Sequence, residues 1–435
     1  MGWSVPAYSE ITDIDAMHPL YDMLHIQNSA VISVCSANFY VIEACIQSAY
    51  EHDRFLLVET TCNQVNPDGG YTGMTPMMFH DKIFSLCDEY GLPRHRIILG
   101  GDHLGPYPWA SLSAENAMAK ARELICEYVQ AGFSKIHIDT SMALNGDPLP
   151  FPSIQQISER TAWLCKAAEQ TYQDLKTNEY APVYVIGSEV PVPGGSEKNH
   201  TKHVTDSTTL IQTLNTMKES FYQYGLESAW NRVIGLVIEA GIGFKNHEII
   251  DYSSSRIKHL FPLIGATYPN IVFEGHSTDY QLDHSIQQMI ADGFRILKIG
   301  PHLTFAFREA LMGLWHIENL LVAPHKRSHL FTVVQETIHD HFQYCYAYYK
   351  EDSETDWIYS FYDRIRYYWN DPKIQHALSI LIDNLTHTPT PLNLLSQYLP
   401  FQYQKIRQGL IDNHPKAIIS DNIRRIYETY ICCEL

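Results

Sequence analysis

Eight short apolar runs, each followed by a stretch long enough for a helix, constrain the fold of this 435-residue chain more than any other feature. The runs are rich in β-branched residues and lack clean polar–apolar alternation, which indicates parallel strands buried on both faces. Helical crossovers between eight such strands predict an α/β fold, a closed (β/α)8 barrel, and the alternative is an open doubly wound sheet. The runs are residues 31–35, 55–59, 96–99, 135–138, 183–186, 233–238, 271–273 and 296–299.

Helix signals occupy the intervals between these runs. Residues 114–131, for example, carry apolar side chains at helical spacing, and Gly132 follows as a stop signal. No GxGxxG motif follows the first run, which removes the main support for a dinucleotide-binding sheet. Toward its C-terminal end the chain keeps helical patterns but shows no further strand signal. We therefore predict three parts: an irregular lead-in over residues 1–29, the barrel over 30–325 and a C-terminal helical extension over 326–435.

The charge balance limits the classes of partner. With 49 acidic and 31 basic side chains the formal net charge is −18, which argues against a nucleic-acid binder or a membrane-surface binder. The nine cysteines form no CxxC pair, and no signal peptide or membrane-length apolar run is evident. We expect a cytoplasmic protein in which any anionic ligand is held by local positive charge.

Carboxylates and imidazoles follow six of the eight runs directly, and in a barrel these strand ends converge on one face. We predict a divalent-metal site there, with His103, Glu189 and His276 as ligands and zinc favoured because imidazoles contribute. Asp139 is a reserve ligand or a carboxylate that orients an imidazole. Asp102, next to His103, is the candidate proton carrier, and Glu189 and Asp139 are further catalytic candidates. The alternative is that each is an ordinary hydrogen-bonded residue of the barrel rim.

Phosphate contacts are predicted after the eighth run and in the extension. Gly300 and Thr304 lie in a turn where barrels often hold a phosphate against a helix N-terminus, and Lys298 adds positive charge. An ordinary strand–helix turn is the alternative. In the extension, Arg364 and Arg366 stand beside aromatic residues, so they either deliver positive charge to a phosphate or belong to a surface helix packed on the barrel.

Three residues in other strand-end loops complete the predicted substrate contacts. Asn63 follows the second run, and Ser141 follows the fourth. Gly73 belongs to the glycine-rich loop of residues 69–76, whose backbone can close over a ligand before Thr75 caps the next helix. Glycine-rich loops are common, so this last signal is weak by itself.

The motifs at these strand ends resemble one known family. They are SVCSAN, NQVNPDGGYTGMTP, RIILGGDHLGP, AGFSKIHIDTSM, GSEVPVPGG, EGHSTDYQ, ILKIGPHLTFAFREAL, DRIRYYW and SQYLP, which together run from about residue 30 to residue 400. The chain resembles the Z-type subunits of class II D-tagatose-1,6-bisphosphate aldolase, which belong to galactitol and N-acetylgalactosamine catabolism. The resemblance implies a barrel that assembles with a catalytic Y-type subunit and raises the activity and stability of that subunit.

The resemblance leaves two functions open. The chain either stabilises the catalytic subunit without chemistry of its own, or acts as a metal-dependent enzyme on ketohexose phosphates. Relatives of this type also resemble 4-epimerases that interconvert D-tagatose 6-phosphate and D-fructose 6-phosphate through retro-aldol chemistry. Glu189 stands where catalytic class II aldolases would place a histidine, so the ligand set is altered. Mn2+ is the alternative to Zn2+ as the cofactor, and homo-oligomerisation is left open.

Overall fold

Eight parallel strands close into a barrel, as the sequence predicts. The structure is a computed structural model that describes residues 18–147, 151–175, 180–190, 204–349 and 353–433. The barrel strands are Val31–Cys35 (β1), Leu56–Thr61 (β2), Ile97–Leu104 (β3), Lys135–Ile138 (β4), Val183–Ile186 (β5), Val233–Val237 (β6), Val272–Gly275 (β9) and Phe294–Ile299 (β10). The closed sheet has the order β1-β10-β9-β6-β5-β4-β3-β2, which rules out the open doubly wound alternative.

A short antiparallel hairpin follows the sixth barrel strand and was not predicted. It pairs Gly243–Phe244 (β7) with Ile249–Ile250 (β8). The α-helices are Pro19–Leu24 (α1), Phe39–Glu51 (α2), Pro76–Tyr90 (α3), Ala114–Gln130 (α4), Ile154–Leu175 (α5), Ser207–Gln223 (α6), Glu227–Trp230 (α7), Ser254–Ile257 (α8), Leu260–Thr267 (α9), Asp283–Asp292 (α10), Pro301–Leu321 (α11), Leu330–Asp340 (α12), Glu354–Tyr359 (α13), Pro372–His387 (α14), Leu392–Tyr398 (α15), Pro400–Arg407 (α16) and Pro415–Cys432 (α17).

Two apolar cores hold the barrel together. The larger one lies between the strands and the surrounding helices and continues into the helical extension. The smaller one fills the barrel interior toward the strand N-termini, and Leu20 and Leu24 of α1 pack against it, so this helix plugs that end. Burial on both faces explains the continuous apolar runs in the sequence. The other end of the interior is lined by ionisable side chains.

Helix α17 packs across the seam where the barrel closes. It contacts α2 and α11, the helices that follow the first and last barrel strands. Arg424 pairs with Glu51 of α2, with 2.8 Å between Nη1 and Oε1. Asn422 Nδ2 donates to the Ala306 carbonyl of α11 at 2.7 Å. The extension therefore belongs to the same packed unit as the barrel.

Among the helices that the structure describes, none is both long and apolar enough to cross a membrane.

Candidate metal centre at the barrel mouth

Four buried donors meet at the C-terminal ends of the strands. One ligand atom from each of Asp102, His103, His137 and His276 lies within 4.8 Å of the others. Donors bound to one tetrahedral zinc lie about 3.4 Å apart, given Zn–N bonds near 2.1 Å, so a small contraction would complete the site. The three imidazole centroids form an almost equilateral triangle, with sides of 4.9, 5.0 and 5.2 Å.

Each of the three imidazoles is oriented by a carboxylate. The nitrogen–oxygen distances are 2.8 Å from His103 Nδ1 to Asp139 Oδ2, 2.8 Å from His137 Nδ1 to Asp102 Oδ1 and 2.9 Å from His276 Nε2 to Glu274 Oε1. An ionised carboxylate can only accept a hydrogen bond, so these imidazole nitrogens carry the hydrogens. The backbone N–H of His103 also lies 3.1 Å from His137 Nδ1, but the shorter contact of that nitrogen with the ionised Asp102 requires the hydrogen on Nδ1. The opposite nitrogens keep free lone pairs, which is the arrangement that metal-binding histidines adopt.

One of these free nitrogens is an orphaned buried atom. His137 Nε2 has no hydrogen-bond partner among the described residues, although the side chain is fully buried. A buried polar atom without a partner costs about 1–3 kcal/mol, which a coordinated cation would offset. The backbone of His103 adds strain, because its φ of 48° lies in the left-handed region that non-glycine residues avoid.

A ladder of buried ion pairs lies beneath the imidazoles. Lys135 Nζ is 2.6 Å from Glu59 Oε1 and 2.7 Å from Glu274 Oε2, and all three side chains are fully buried. Lys298 Nζ is 2.9 Å from Glu59 Oε2 and also pairs with Asp102.

The ladder and the cluster together carry an excess of negative charge. Their four carboxylates are Glu59, Asp102, Asp139 and Glu274, against the two ammonium groups of Lys135 and Lys298. With the three histidines in the neutral form that binds a metal, this leaves two negative charges uncompensated, which is the charge that a divalent cation would neutralise.

The protonation states of the cluster follow from burial and charge. Burial and then the Lys298 ammonium lower the pKa of His276 to about 3, so this imidazole stays neutral. Burial disfavours a charged imidazole at His103, but the carboxylates of Asp102 and Asp139 outweigh that effect and raise its pKa. Burial would raise the pKa of Asp102, yet His103 and Lys298 hold it well below 3.8. Asp102 is therefore ionised at neutral pH.

A cavity of about 110 Å³ opens beside the cluster. Its wall includes Asp102, His103 and His276 together with four of the predicted substrate contacts. The predicted contacts that line it are Asn63, Lys298, Gly300 and Arg366. The cavity therefore joins the candidate metal centre to residues from the barrel and from the extension.

Glu189 is not among the four clustered donors. Its Oε2 accepts a hydrogen bond from Thr205 at 2.7 Å, and it does not line the cavity. His137 takes the third imidazole position of the cluster instead. The assignment of Glu189 as a ligand or catalytic group stays a prediction, and its neighbours at residues 191–203 lie outside the described part of the chain.

Four predicted site residues lie outside the wall of the cavity. Asp139 orients His103, and Ser141 in turn donates its hydroxyl to Asp139 at 2.6 Å. Gly73 ends a short 3-10 turn with a φ of 75° and lines no part of the cavity. Arg364 stacks between the rings of Tyr348 and Tyr367, at 3.9 and 4.2 Å.

The predicted phosphate turn after the last strand already binds a carboxylate. Asp279 Oδ1 accepts the backbone N–H groups of Gly300 and His302, at 2.9 and 2.8 Å. Burial raises the pKa of Asp279 to about 6. The Thr304 hydroxyl donates to Asp363 at 2.5 Å. These donors at the start of α11 are therefore engaged within the protein.

Sequence reasoning missed His137, Glu59 and Glu274. Lys135, His137 and Asp139 alternate with isoleucines in and after β4, and this alternation of polar residues in a buried strand was the available signal. Glu59 and Glu274 lie near the ends of their strands, but nothing in the sequence pairs Glu59 with Lys135 and Lys298, or Glu274 with Lys135, because these partners are distant along the chain.

Comparison with known proteins identifies the family of this chain. The model of the family described as D-tagatose-1,6-bisphosphate aldolase subunit GatZ/KbaZ-like matches residues 22–434. The chain belongs to the GatZ/KbaZ-like family. GatZ from Escherichia coli K12, named a D-tagatose-1,6-bisphosphate aldolase subunit, is 43% identical over 411 residues, which are 93% of this chain and 96% of the relative.

Two solved structures share the fold. A protein from Sinorhizobium meliloti 1021, described as a probable tagatose 6 phosphate kinase, is 37% identical with a TM-score of 0.84, and the match covers 93% of this chain and all of that one. The fructuronate-tagaturonate epimerase UxaE from Cohnella laeviribosi is 10% identical with a TM-score of 0.51, over 94% of this chain and 81% of that one. The second likeness shows the fold alone.

Proposed function

We propose that this chain is a subunit of a D-tagatose-1,6-bisphosphate aldolase and that it carries its own divalent-metal site for a sugar phosphate. The observation that carries the proposal is the triangle of three imidazoles, each oriented by a carboxylate, beside a cavity that Lys298 and Arg366 line. GatZ, the relative from Escherichia coli, is named as such a subunit. By this likeness we infer assembly with a catalytic Y-type partner.

His103, His137 and His276 would hold the metal. Three imidazole ligands with one open position are typical of catalytic zinc, so Zn2+ is the first choice and Mn2+ the second. A divalent cation at this place would polarise a carbonyl or hydroxyl oxygen of the sugar. The free nitrogens and the uncompensated negative charge of the cluster both fit this cofactor.

Asp102 is the group that would move a proton. Its carboxylate is ionised and lines the cavity, where its Oδ2 lies 3.2 Å from Cys35 Sγ and 3.7 Å from His103 Nε2. An ionised carboxylate at this position can accept a proton from a substrate hydroxyl and return it. Such proton transfer is what carbon–carbon bond cleavage between two hydroxylated carbons requires.

Two other reaction classes fit the site less well. Lys298 is held as an ammonium ion, since Asp102, Glu59 and Glu274 outweigh its burial and raise its pKa, so it is a poor Schiff-base nucleophile. Phosphoryl transfer from a nucleotide usually uses a P-loop, and the sequence contains no GxxxxGK[ST] motif. We therefore favour metal-assisted aldol chemistry over both alternatives.

A second candidate is that the chain alone is a 4-epimerase of D-tagatose 6-phosphate and D-fructose 6-phosphate. The observation that favours it is the complete set of clustered donors with an ionised carboxylate beside them. A subunit with a purely stabilising role would gain nothing from burying so many charges.

The deciding experiment incubates the purified chain alone with Zn2+ or Mn2+, on fructose 6-phosphate and on tagatose 1,6-bisphosphate. Epimer formation supports the epimerase, and triose phosphate formation supports an aldolase. Activity that requires the Y-type partner supports the subunit role. No activity under any condition, and no change in the activity of the partner, would exclude both candidates.

Metal analysis tests the ligand set separately. His103→Ala, His137→Ala and His276→Ala should each abolish stoichiometric zinc after dialysis, while circular dichroism shows an intact fold. His339→Ala is the matched control, because that imidazole side chain is 80% exposed. Glu189→Ala should retain the metal. Loss of the metal in this variant would show that Glu189 is one of the ligands.

A further inference from the structure

The cavity at the barrel mouth has a narrow side chamber. The chamber measures about 10 Å³, which is roughly enough room for one water molecule or one ligand oxygen. The main cavity and the side chamber share Cys35, Gln64, Tyr71, Gly300 and Arg366 in their walls. Arg366 therefore lies at the junction of the two spaces.

Arg366 forms no direct ion pair with a described carboxylate, although the charges of Asp363 and Asp279 act on it at longer range. Its guanidinium donates to the carbonyl groups of Tyr362 and Asp363 and to the Tyr367 hydroxyl, the last two at 3.0 and 3.4 Å. A cation at the wall of a cavity, held by neutral acceptors, is poised for an anionic ligand.

Trp369 provides a second, independent observation. Its side chain is 2% exposed and forms part of the side chamber. The indole Nε1–H has no acceptor in the part of the chain that the structure describes. A buried N–H without an acceptor is costly, so a ligand oxygen in the chamber would relieve that cost.

Ser36, between β1 and α2, supplies a further donor in the wall of the chamber. Its oxygen accepts the backbone N–H of Asn38 at 3.2 Å, so its own hydroxyl hydrogen stays available to a ligand in the chamber. By contrast, Thr304, which also lines the chamber, already donates its hydroxyl to Asp363. The hydrogen-bond donors available to a ligand in the chamber are therefore Ser36, in the loop between β1 and α2, and Arg366 and Trp369 in the extension.

We propose that this side chamber is the phosphate subsite: one phosphoryl oxygen of the substrate enters it and accepts the Trp369 indole N–H, while Arg366 neutralises the phosphate at the junction. This inference rests on the proposed function, since it assumes that a phosphate monoester occupies the cavity. None of the three imidazoles lines the chamber. The phosphorylated carbon is therefore at the end of the sugar remote from the metal centre.

Nuclear magnetic resonance of the indole groups tests the subsite without requiring activity. The full chain with 15N-labelled tryptophan gives seven indole signals, and Trp369→Phe identifies the relevant one. Inorganic phosphate and fructose 6-phosphate, added to metal-free protein, should each shift the Trp369 signal saturably. Fructose should leave it in place. A protein that shows the shift, but has no activity alone and does not change the activity of the Y-type partner, would refute the proposed function and keep the subsite.

Matched variants measure the contribution of each donor. Arg366→Gln should weaken phosphate binding roughly tenfold to a hundredfold, because a charged hydrogen bond is lost. Ser36→Ala, a smaller change in the same chamber, should weaken it severalfold. Arg407→Gln, on a distant exposed arginine of α16, should bind phosphate as the native chain does. A Trp369 signal that never moves, or an affinity that Arg366→Gln leaves unchanged, would overturn the subsite.

Discussion

Lys135 lies at the base of the charge ladder, and its replacement by methionine tests whether that ladder is needed for stability. Lys135→Met keeps the length of the side chain and removes the ammonium group that lies 2.6 Å from Glu59 and 2.7 Å from Glu274. Removing one member of a fully buried ion pair costs about 3–5 kcal/mol, because the partner stays charged and buried. Glu59 would keep its bonds to Ser33 and Lys298, at 2.8 and 2.9 Å.

The loss should appear as a lower melting temperature. Unfolding entropy near 2.1 cal/mol/K per residue, over this chain length, converts that cost into a decrease of about 3–5 °C. Zinc should raise the melting temperature of Lys135→Met more than that of the native chain, because the variant carries one more uncompensated negative charge. Calorimetry with and without zinc measures both effects.

Two further variants interpret the result. Lys120→Met is the control, since Lys120 is a partly exposed lysine that pairs with Asp68 at 3.1 Å, and exposed ion pairs contribute little. Lys135→Met combined with Glu59→Gln removes one charge of each sign and should recover most of the loss. If Lys135→Met melts within 1 °C of the native chain, the ladder has no structural role and the reasoning is refuted.

Three other predictions concern the proton carrier, a glycine contact and a buried histidine. Asp102→Asn should keep stoichiometric zinc but lower kcat about 10²–10⁴-fold in the sugar-phosphate assay. Gly105→Ala would place its Cβ 1.8 Å from the carbonyl oxygen of Asp139, the residue that orients His103. The zinc affinity, measured by competition with a chelator, should therefore fall about 10–100-fold. Gly265→Ala is the control and should bind zinc normally, because no atom lies within 4 Å of its Cβ. Burial lowers the pKa of His18 to about 4. As the pH falls below 6.5, the unfolded chain takes up the proton first, so up to about 3 kcal/mol of the free energy of unfolding is lost by pH 4. In urea titrations, the free energy of unfolding of His18→Gln should depend less on pH than that of the native chain, and an equal pH dependence would contradict this prediction.

The strands were predictable because the barrel buries them on both faces. Residues 31–35, 135–138 and 183–186 form strands with the predicted bounds, since a run of β-branched residues has no other stable place in such a fold. The polar residues at the strand ends also predicted a site at the C-terminal face of the barrel, and Asp102, His103 and His276 do lie together there. These local patterns needed no knowledge of distant contacts.

The rest of the site depends on pairings that no local pattern encodes. His137 is interchangeable with Glu189 as a strand-end donor in the sequence, and the choice follows from which side chains the barrel turns inward. Arg364 and Arg366 are equivalent in sequence, yet one is stacked between tyrosines and the other lines the cavity. The N-terminus of α11 looked open to phosphate because the binding of Asp279 to it is a long-range contact.

Helix α17 fixes an order of events during synthesis on the ribosome. All the side chains of the candidate metal centre have been made long before residue 415, but the helix that bridges α2 and α11 has not. Tyr430 of α17 also donates to the Thr278 carbonyl at 2.7 Å, two residues from His276. A nascent chain that ends before α17 therefore exposes apolar surface on both flanking helices, so chaperone engagement and premature zinc capture should be greatest in that interval.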